Sequence, residues 1–387
     1  MQAISEKQRL CMKRTPKPVE GFSDEHQEVL DSIRLSRIIL PISIGIVVVL
    51  YLLWKQFDPE EFAKIRWTGH TLFWMLVSIG ILVVKHLSYS VRLWILSDRE
   101  FSFLKCIELV VIWEFSSAVS PTSVGGSAVA FFVLSQEKLS TARTATIVLY
   151  TIVLDTFFFV FSALGLVLLL GPSVIRPGMG QINDIDGWGW TFIGSYLAMC
   201  TYGCVFAYGL LVSPVQIKRS LVGITKIGFL KKYRRKMVEL GNDMIAASKE
   251  LRQRNWKYHA GAALATAAAW SARFLLLSAL IIAIVGVPPI SLAFIDQLKL
   301  YARLESMFII TLFSPTPGGA GFAEFVFGGF LSDYVPRGIA LVVASIWRLI
   351  TYYSYLIAGV IVIPYWIRNI LNERKKQGDE ADGPTST

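Results

Sequence analysis

Seven charged residues lie in stretches that are otherwise apolar: Glu114, Asp155, Arg273, Arg303, Glu305, Glu324 and Arg348. An ionisable side chain at the centre of a bilayer costs roughly 2.5–3.5 kcal/mol, so each of them marks a functional position. Arg carries a planar fork of donors suited to a phosphate group. The carboxylates can hold those Arg side chains, bind a cationic part of a headgroup, or carry protons. A structural alternative is a set of buried ion pairs that only fixes helix register. Arg92 lies a few residues from a helix end and is read as snorkelling to the interface. Lys85 and His86 lie deeper in the same segment and have no assigned role.

Other chemistries lack their residues. There is no GxxxxGK[ST] for a nucleotide and no GxSxG nucleophile elbow. The four His (His26, His70, His86, His259) are scattered, and so are Cys11 and Cys106. Cys200 and Cys204 sit at i, i+4 in an apolar segment with no third ligand, and packing explains them. The expectation is no metal, no cofactor and no enzyme activity.

The elements that must position these charges are membrane helices. The chain has 387 residues, 54% hydrophobic and 17% charged, a composition far from that of a soluble domain. Its mean hydropathy is +0.53. Six segments reach the roughly 20 apolar residues that a span requires: 37–57, 69–96, 141–170, 188–213, 258–286 and 338–366. The net charge of +10 collects in loops. It is read as a cytoplasmic bias and not as nucleic-acid binding. The loop 214–257, with Lys218, Arg219, Lys231, Lys232, Arg234 and Arg235, is placed inside, as are both termini. Its apolar spacing allows it to lie on an anionic leaflet, and a solvated basic loop explains it equally well. The polar first 35 residues do not read as a signal peptide.

Two further apolar stretches, 104–134 and 290–330, are interrupted. One reads SPTSVGGSAVAFFVL from Ser120 and the other SPTPGGAGFAEFVF from Ser314. Pro121, Gly125 and Gly126 break the first, and Pro315, Pro317, Gly318 and Gly319 break the second. After each Gly pair, Ala130, Phe132 and Val133 match Ala323, Phe325 and Val326. The preceding helices carry SYSVR, ending at Arg92, and AWSAR, ending at Arg273. Asp155 and Arg348 each fall 29 residues after the second Gly of their break.

An internal repeat follows, with halves at 69–170 and 258–366. The expected fold is all-α and polytopic, about six spans plus two Pro/Gly-broken re-entrant hairpins in inverted topology. The polar segment 1–36 precedes this membrane domain of 37–370, and the tail 371–387 follows it. The equivalent positions of Asp155 and Arg348 suggest a pair across the pseudo-twofold axis.

TPGGAGFAE around Gly318 and SIWRLITYYSYLIAG around Arg348 resemble the lysylphosphatidylglycerol synthase transmembrane-region family, the flippase-like domains. SPTSVGG followed by Asp155 fits as well, and the resemblance covers roughly residues 35–370. It implies a lipid flippase in the cell membrane, by family the bacterial inner membrane. Its partners would be anionic or aminoacylated phospholipids or polyprenyl-phosphate lipids, and a homo-oligomer is compatible with it. The longest polar stretch is too short for the aminoacyl-transferring domain of some relatives. The alternatives are an accessory membrane subunit or, less favoured, an enzyme acting on a lipid headgroup.

Overall fold

The computed structural model describes residues 60, 63, 67–119, 123–137, 139–181, 184–226, 228–286, 290–312 and 322–381. Every element among them is helical. In chain order these are α1 (Gly69–Leu96), α2 (Phe103–Val119), α3 (Ser123–Gln136) and α4 (Thr141–Leu170). Then come α5 (Gly187–Ala207), α6 (Pro214–Ile224), α7 (Arg234–Leu251) and α8 (Trp256–Val285). Last are α9 (Phe294–Thr311), α10 (Phe322–Phe330), α11 (Arg337–Arg348) and α12 (Ser354–Ala381). Five helical stretches are long and apolar enough to cross a membrane: Gly69–Leu96, Thr141–Leu170, Gly187–Val212, Trp256–Val285 and Gly338–Ile370. They answer to five of the six expected spans. The sixth, 37–57, lies outside the described residues.

Local chemistry sets the ends. Ser140 caps α4 by accepting from the Arg143 N–H at 3.2 Å. Asn255 caps α8 through the Tyr258 N–H at 3.0 Å. Gly171 and Gly286 stop those helices at φ 81° and 87°, where a side chain would be strained. Asp186 caps α5 through the Trp188 and Gly189 N–H groups, both at 3.1 Å, and is paired with Arg176. The Gly189 N–H and then the Arg176 charge hold its carboxyl below the usual carboxylate range.

Burial identifies the helix at the centre. In its most apolar stretch α8 is 72% buried inside the protein, against 17% for α1. The uncovered face of α1 presents Leu72, Phe73, Leu76 and Val83, and α12 presents Ile357 and Ile361. In water such faces would aggregate; against lipid they cost nothing. Two apolar cores meet along α4 and α8. The basic stretch 214–257 is a helical pair, α6 and α7, packed together and on α4. Met244, Ala247 and Leu251 enter the second core. It is thus more than a solvated loop.

The interrupted stretches become α2–α3 and α9–α10, whose arms pack on each other. The first break differs from expectation. Gly125 and Gly126 lie inside α3 rather than at a turn. Gly126 is a packing position: a Cβ there would stand 2.9 Å from the Ser117 Cα on α2. Gly126→Ala should therefore push the two arms apart and lower stability by about 1–3 kcal/mol, read as a fall in the thermal midpoint of the purified protein. Pro121, Pro315, Pro317, Gly318 and Gly319 lie outside the described residues.

Candidate functional site

The pairing of α1 with α8 organises the buried charges. The Tyr258 hydroxyl donates to the Leu96 carbonyl at 3.2 Å. The Arg92 Nη1 reaches the Thr266 Oγ1 at 3.4 Å. The Tyr89 and Trp270 rings meet edge to face with centroids 6.3 Å apart. Contacts that descend one helix while they ascend the other define an antiparallel pair. Tyr89 and Trp270 each precede an Arg by three residues, in SYSVR and AWSAR. Each Arg lies over its own helix's ring: Arg92 over Tyr89 at 4.7 Å and Arg273 over Trp270 at 5.2 Å.

Beyond that common feature the two Arg differ. Arg92 donates to the Asp155 carboxylate at 2.5 Å, and the Trp270 Nε1–H reaches the same oxygen at 2.8 Å. Arg92 is 8% exposed, so it is a buried partner and does not snorkel. Helices α4 and α8 cover what looked like a helix end. Among the described residues Arg273 has no carboxylate within ion-pair distance. It lies between two aromatic faces, Trp270 and Phe308 at 5.0 Å.

Lys85, unexplained in the sequence, pairs with Glu114 at 2.8 Å. Its ammonium lies 4.7 Å from the Tyr355 ring centroid, and His86 Nδ1 is 3.2 Å from the Tyr355 hydroxyl. The charge of Arg273 acts on both Lys85 and Glu114, which places the three in one neighbourhood. Helices α1, α2, α8 and α12 thus bring Lys85, Glu114, Arg273 and Tyr355 together. The signal for the missed residues was spacing. Lys85, Tyr89 and Arg92 fall at i, i+4 and i+7, one face of a helix.

The expected pair of Asp155 with Arg348 does not form, since Asp155 is taken up by Arg92 and Trp270. Arg348 is buried at the end of α11, its guanidinium 4.1 Å from the Tyr352 ring centroid, where the helix passes into a π-turn, Leu349–Tyr353. Arg303 is a second correction. It donates to the Phe330 carbonyl at 3.0 Å, to Asp333 at 3.2 Å and to the Ser173 carbonyl. It therefore ties α9 to the end of α10 and to the turn after α4, with no donor fork turned to a ligand. Arg303→Ala should cost about 1.5–3 kcal/mol of stability and leave headgroup preference unchanged. Thermal unfolding and a lipid-selectivity assay on the same preparation check both halves. Glu305 accepts from the Ser162 Oγ at 2.8 Å. Glu324 lies on α10. Among the described residues no cluster of His, Cys, Asp or Glu could hold a metal ion.

An aromatic layer of Phe159, Trp270, Phe274 and Phe308 separates the Arg273 neighbourhood from Glu305. Its closest centroids are 4.6 Å apart, between Phe159 and Trp270. One face of α4 spans it, with Asp155 bound to Trp270, Phe159 in the layer and Ser162 on Glu305.

Comparison with known proteins agrees with this architecture. The sequence profile of the lysylphosphatidylglycerol synthase TM region matches residues 38–359. A "UPF0104 membrane protein" of Archaeoglobus fulgidus is 26% identical over 314 residues, covering 76% of this chain and 87% of that protein. No solved structure matches. A match over most of the chain, carried on an all-α multi-pass membrane fold, places this protein in the lysylphosphatidylglycerol synthase transmembrane-region family of flippase-like, lipid-handling membrane proteins.

Proposed function

We propose that the chain moves a phosphate-bearing lipid between leaflets, with Arg273 as the contact to the phosphate. One observation carries this reading. In the central cluster Lys85 is balanced by Glu114 and Arg92 by Asp155, while no carboxylate of the described residues lies within ion-pair distance of Arg273. Among the described residues the cluster thus holds one cation in excess, set on ring faces and near a Glu114 that already balances Lys85. A lipid phosphate supplies the missing anion and accepts the bidentate fork. Arg348 is a second candidate contact, and the Lys85–Glu114 pair borders the site. Glu324 remains in the proposed set for a cationic headgroup group.

The transport cycle proposed is alternating access between two inverted halves, with the acyl chains left in lipid. The meeting of Tyr89 with Trp270 supports it. Equivalent residues touch each other only at a twofold axis, and two antiparallel helices about such an axis cross the bilayer in opposite senses. The proposed orientation keeps both termini and the α6–α7 pair cytoplasmic, at the cell membrane, by the distribution of Lys and Arg.

The experiment is lipid translocation by the purified chain in proteoliposomes. The panel holds anionic, zwitterionic, aminoacylated and polyprenyl-phosphate lipids. Selective movement of phosphate-bearing anionic lipids, lost in Arg273→Ala, is the expected result. Folded protein that moves none of the panel would overturn the reading.

A further inference from the structure

Glu305 stands apart from the half-buried carboxylates of the cluster. Glu114 and Asp155 each hold a cation. Glu305 is 0% exposed, and no described cation lies within ion-pair distance of it. One oxygen accepts from Ser162 on α4 at 2.8 Å, and the other is buried with no hydrogen-bond partner among the described residues.

The elements packed on α9 bring little charge to Glu305. Helix α4 contributes Asp155, beyond the aromatic layer and already paired with Arg92. Helix α5 contributes Tyr196 and Cys200, and α8 contributes Arg273, held over Trp270 and Phe308. Helix α10 carries Glu324, α11 carries Arg348, and Arg176 beyond the α4 end is paired with Asp186. On α9 itself, Tyr301 is engaged with Ser271 at 3.2 Å, Arg303 with Asp333, and Lys299 with Asp296. An ionised carboxylate in such a place lacks both its hydration and a counter-charge, whereas the neutral acid loses far less on burial.

Resting on the transport reading above, we propose that Glu305 is a proton-binding site that couples lipid movement to proton movement. Buried as it is here, the group is the neutral acid. When the surrounding helices part and water reaches it, the carboxyl gives its proton to that water and becomes the carboxylate, stabilised by hydration and the Ser162 hydroxyl. Reclosure requires a proton to return, from whichever side then has access. No other bond changes, and the charge of the site alternates by one unit. The aromatic layer keeps this proton step apart from the headgroup step at Arg273.

Two measurements test it. The first is infrared difference spectroscopy of the full chain in lipid nanodiscs at neutral pH. A carboxylic-acid C=O band should be present, absent in Glu305→Gln and retained in Glu114→Gln. In Ser162→Ala the band should persist at higher frequency, because it has lost a hydrogen bond. Identical spectra for the parent and Glu305→Gln would overturn the proton site. The second follows labelled phosphatidylglycerol in phosphatidylcholine proteoliposomes under an imposed pH gradient. The parent should respond several-fold and Glu305→Gln not at all, with its thermal midpoint unchanged. A gradient response kept by Glu305→Gln would overturn the coupling. If neither chain moves lipid, the transport reading falls and the coupling with it, while the infrared band still decides the proton site.

Discussion

Arg273→Ala is expected to lower lipid translocation roughly ten- to hundredfold, the equivalent of one lost hydrogen bond to a charged group at about 1.5–3 kcal/mol. Its effect on stability should have the opposite sign. Among the described residues Arg273 has no carboxylate to lose, so its removal breaks no ion pair, relieves the excess positive charge of the cluster and leaves the thermal midpoint unchanged or higher. Arg273→Lys keeps the charge but not the fork, and should fall between the parent and the alanine variant. Rates for the three chains in phosphatidylglycerol proteoliposomes, beside their unfolding midpoints, separate a ligand contact from a structural one. A structural Arg would lose activity and stability together, and that result would sink the assignment.

Asp155→Ala should do the reverse and strike stability first. It strands the Arg92 guanidinium and leaves the Trp270 N–H without its acceptor. Breaking one side of a buried pair costs about 3–5 kcal/mol, whereas replacing both partners with apolar residues of similar volume is often neutral. Asp155→Leu with Arg92→Met should therefore recover most of the lost stability. A double-mutant cycle gives the number: coupling of about 0.5–3 kcal/mol for Asp155 with Arg92, and additivity within about 0.5 kcal/mol for Asp155 with Arg348. Strong coupling to Arg348 instead would refute the geometry described.

These two residues also show what could be read in the sequence. The bounds of α1 and α4 coincide with the apolar segments 69–96 and 141–170, because the bilayer sets the length and Thr68, Ser140 and Gly171 mark the ends. The charged positions were visible, since hydrocarbon tolerates few of them. Their partners were not. The proposed repeat equates Asp155 with Arg348, but a twofold operation brings equivalent residues together only near its axis. Tyr89 and Trp270 meet, as residues near such an axis would, and Asp155 is held by Arg92 and Trp270 instead. Arg92 was misjudged because distance along its own helix says nothing of α4 and α8 lying across it. Arg303 looked like a free cation in an apolar segment, but beside Asp333 it has two main-chain carbonyls as acceptors, which no sequence pattern displays. Gly126 read as a turn and is instead a contact between α2 and α3, since small residues serve both ends equally well.

The unequal treatment of Arg92 and Arg273 has an energetic consequence. Two facing states exchanged by a perfect twofold would be equally populated without ligand, because each would present the same contacts with the halves interchanged. Here Asp155 holds Arg92, and Arg273 lies on ring faces. In the proposed cycle the degeneracy would be lifted, and an empty protein would rest preferentially on one side. In that cycle an anion settling on Arg273 would supply the missing counter-charge and bring the two proposed states nearer to balance. Cargo would then act as the trigger of its own passage, and the idle leak of an unloaded carrier would be suppressed by a single missing carboxylate.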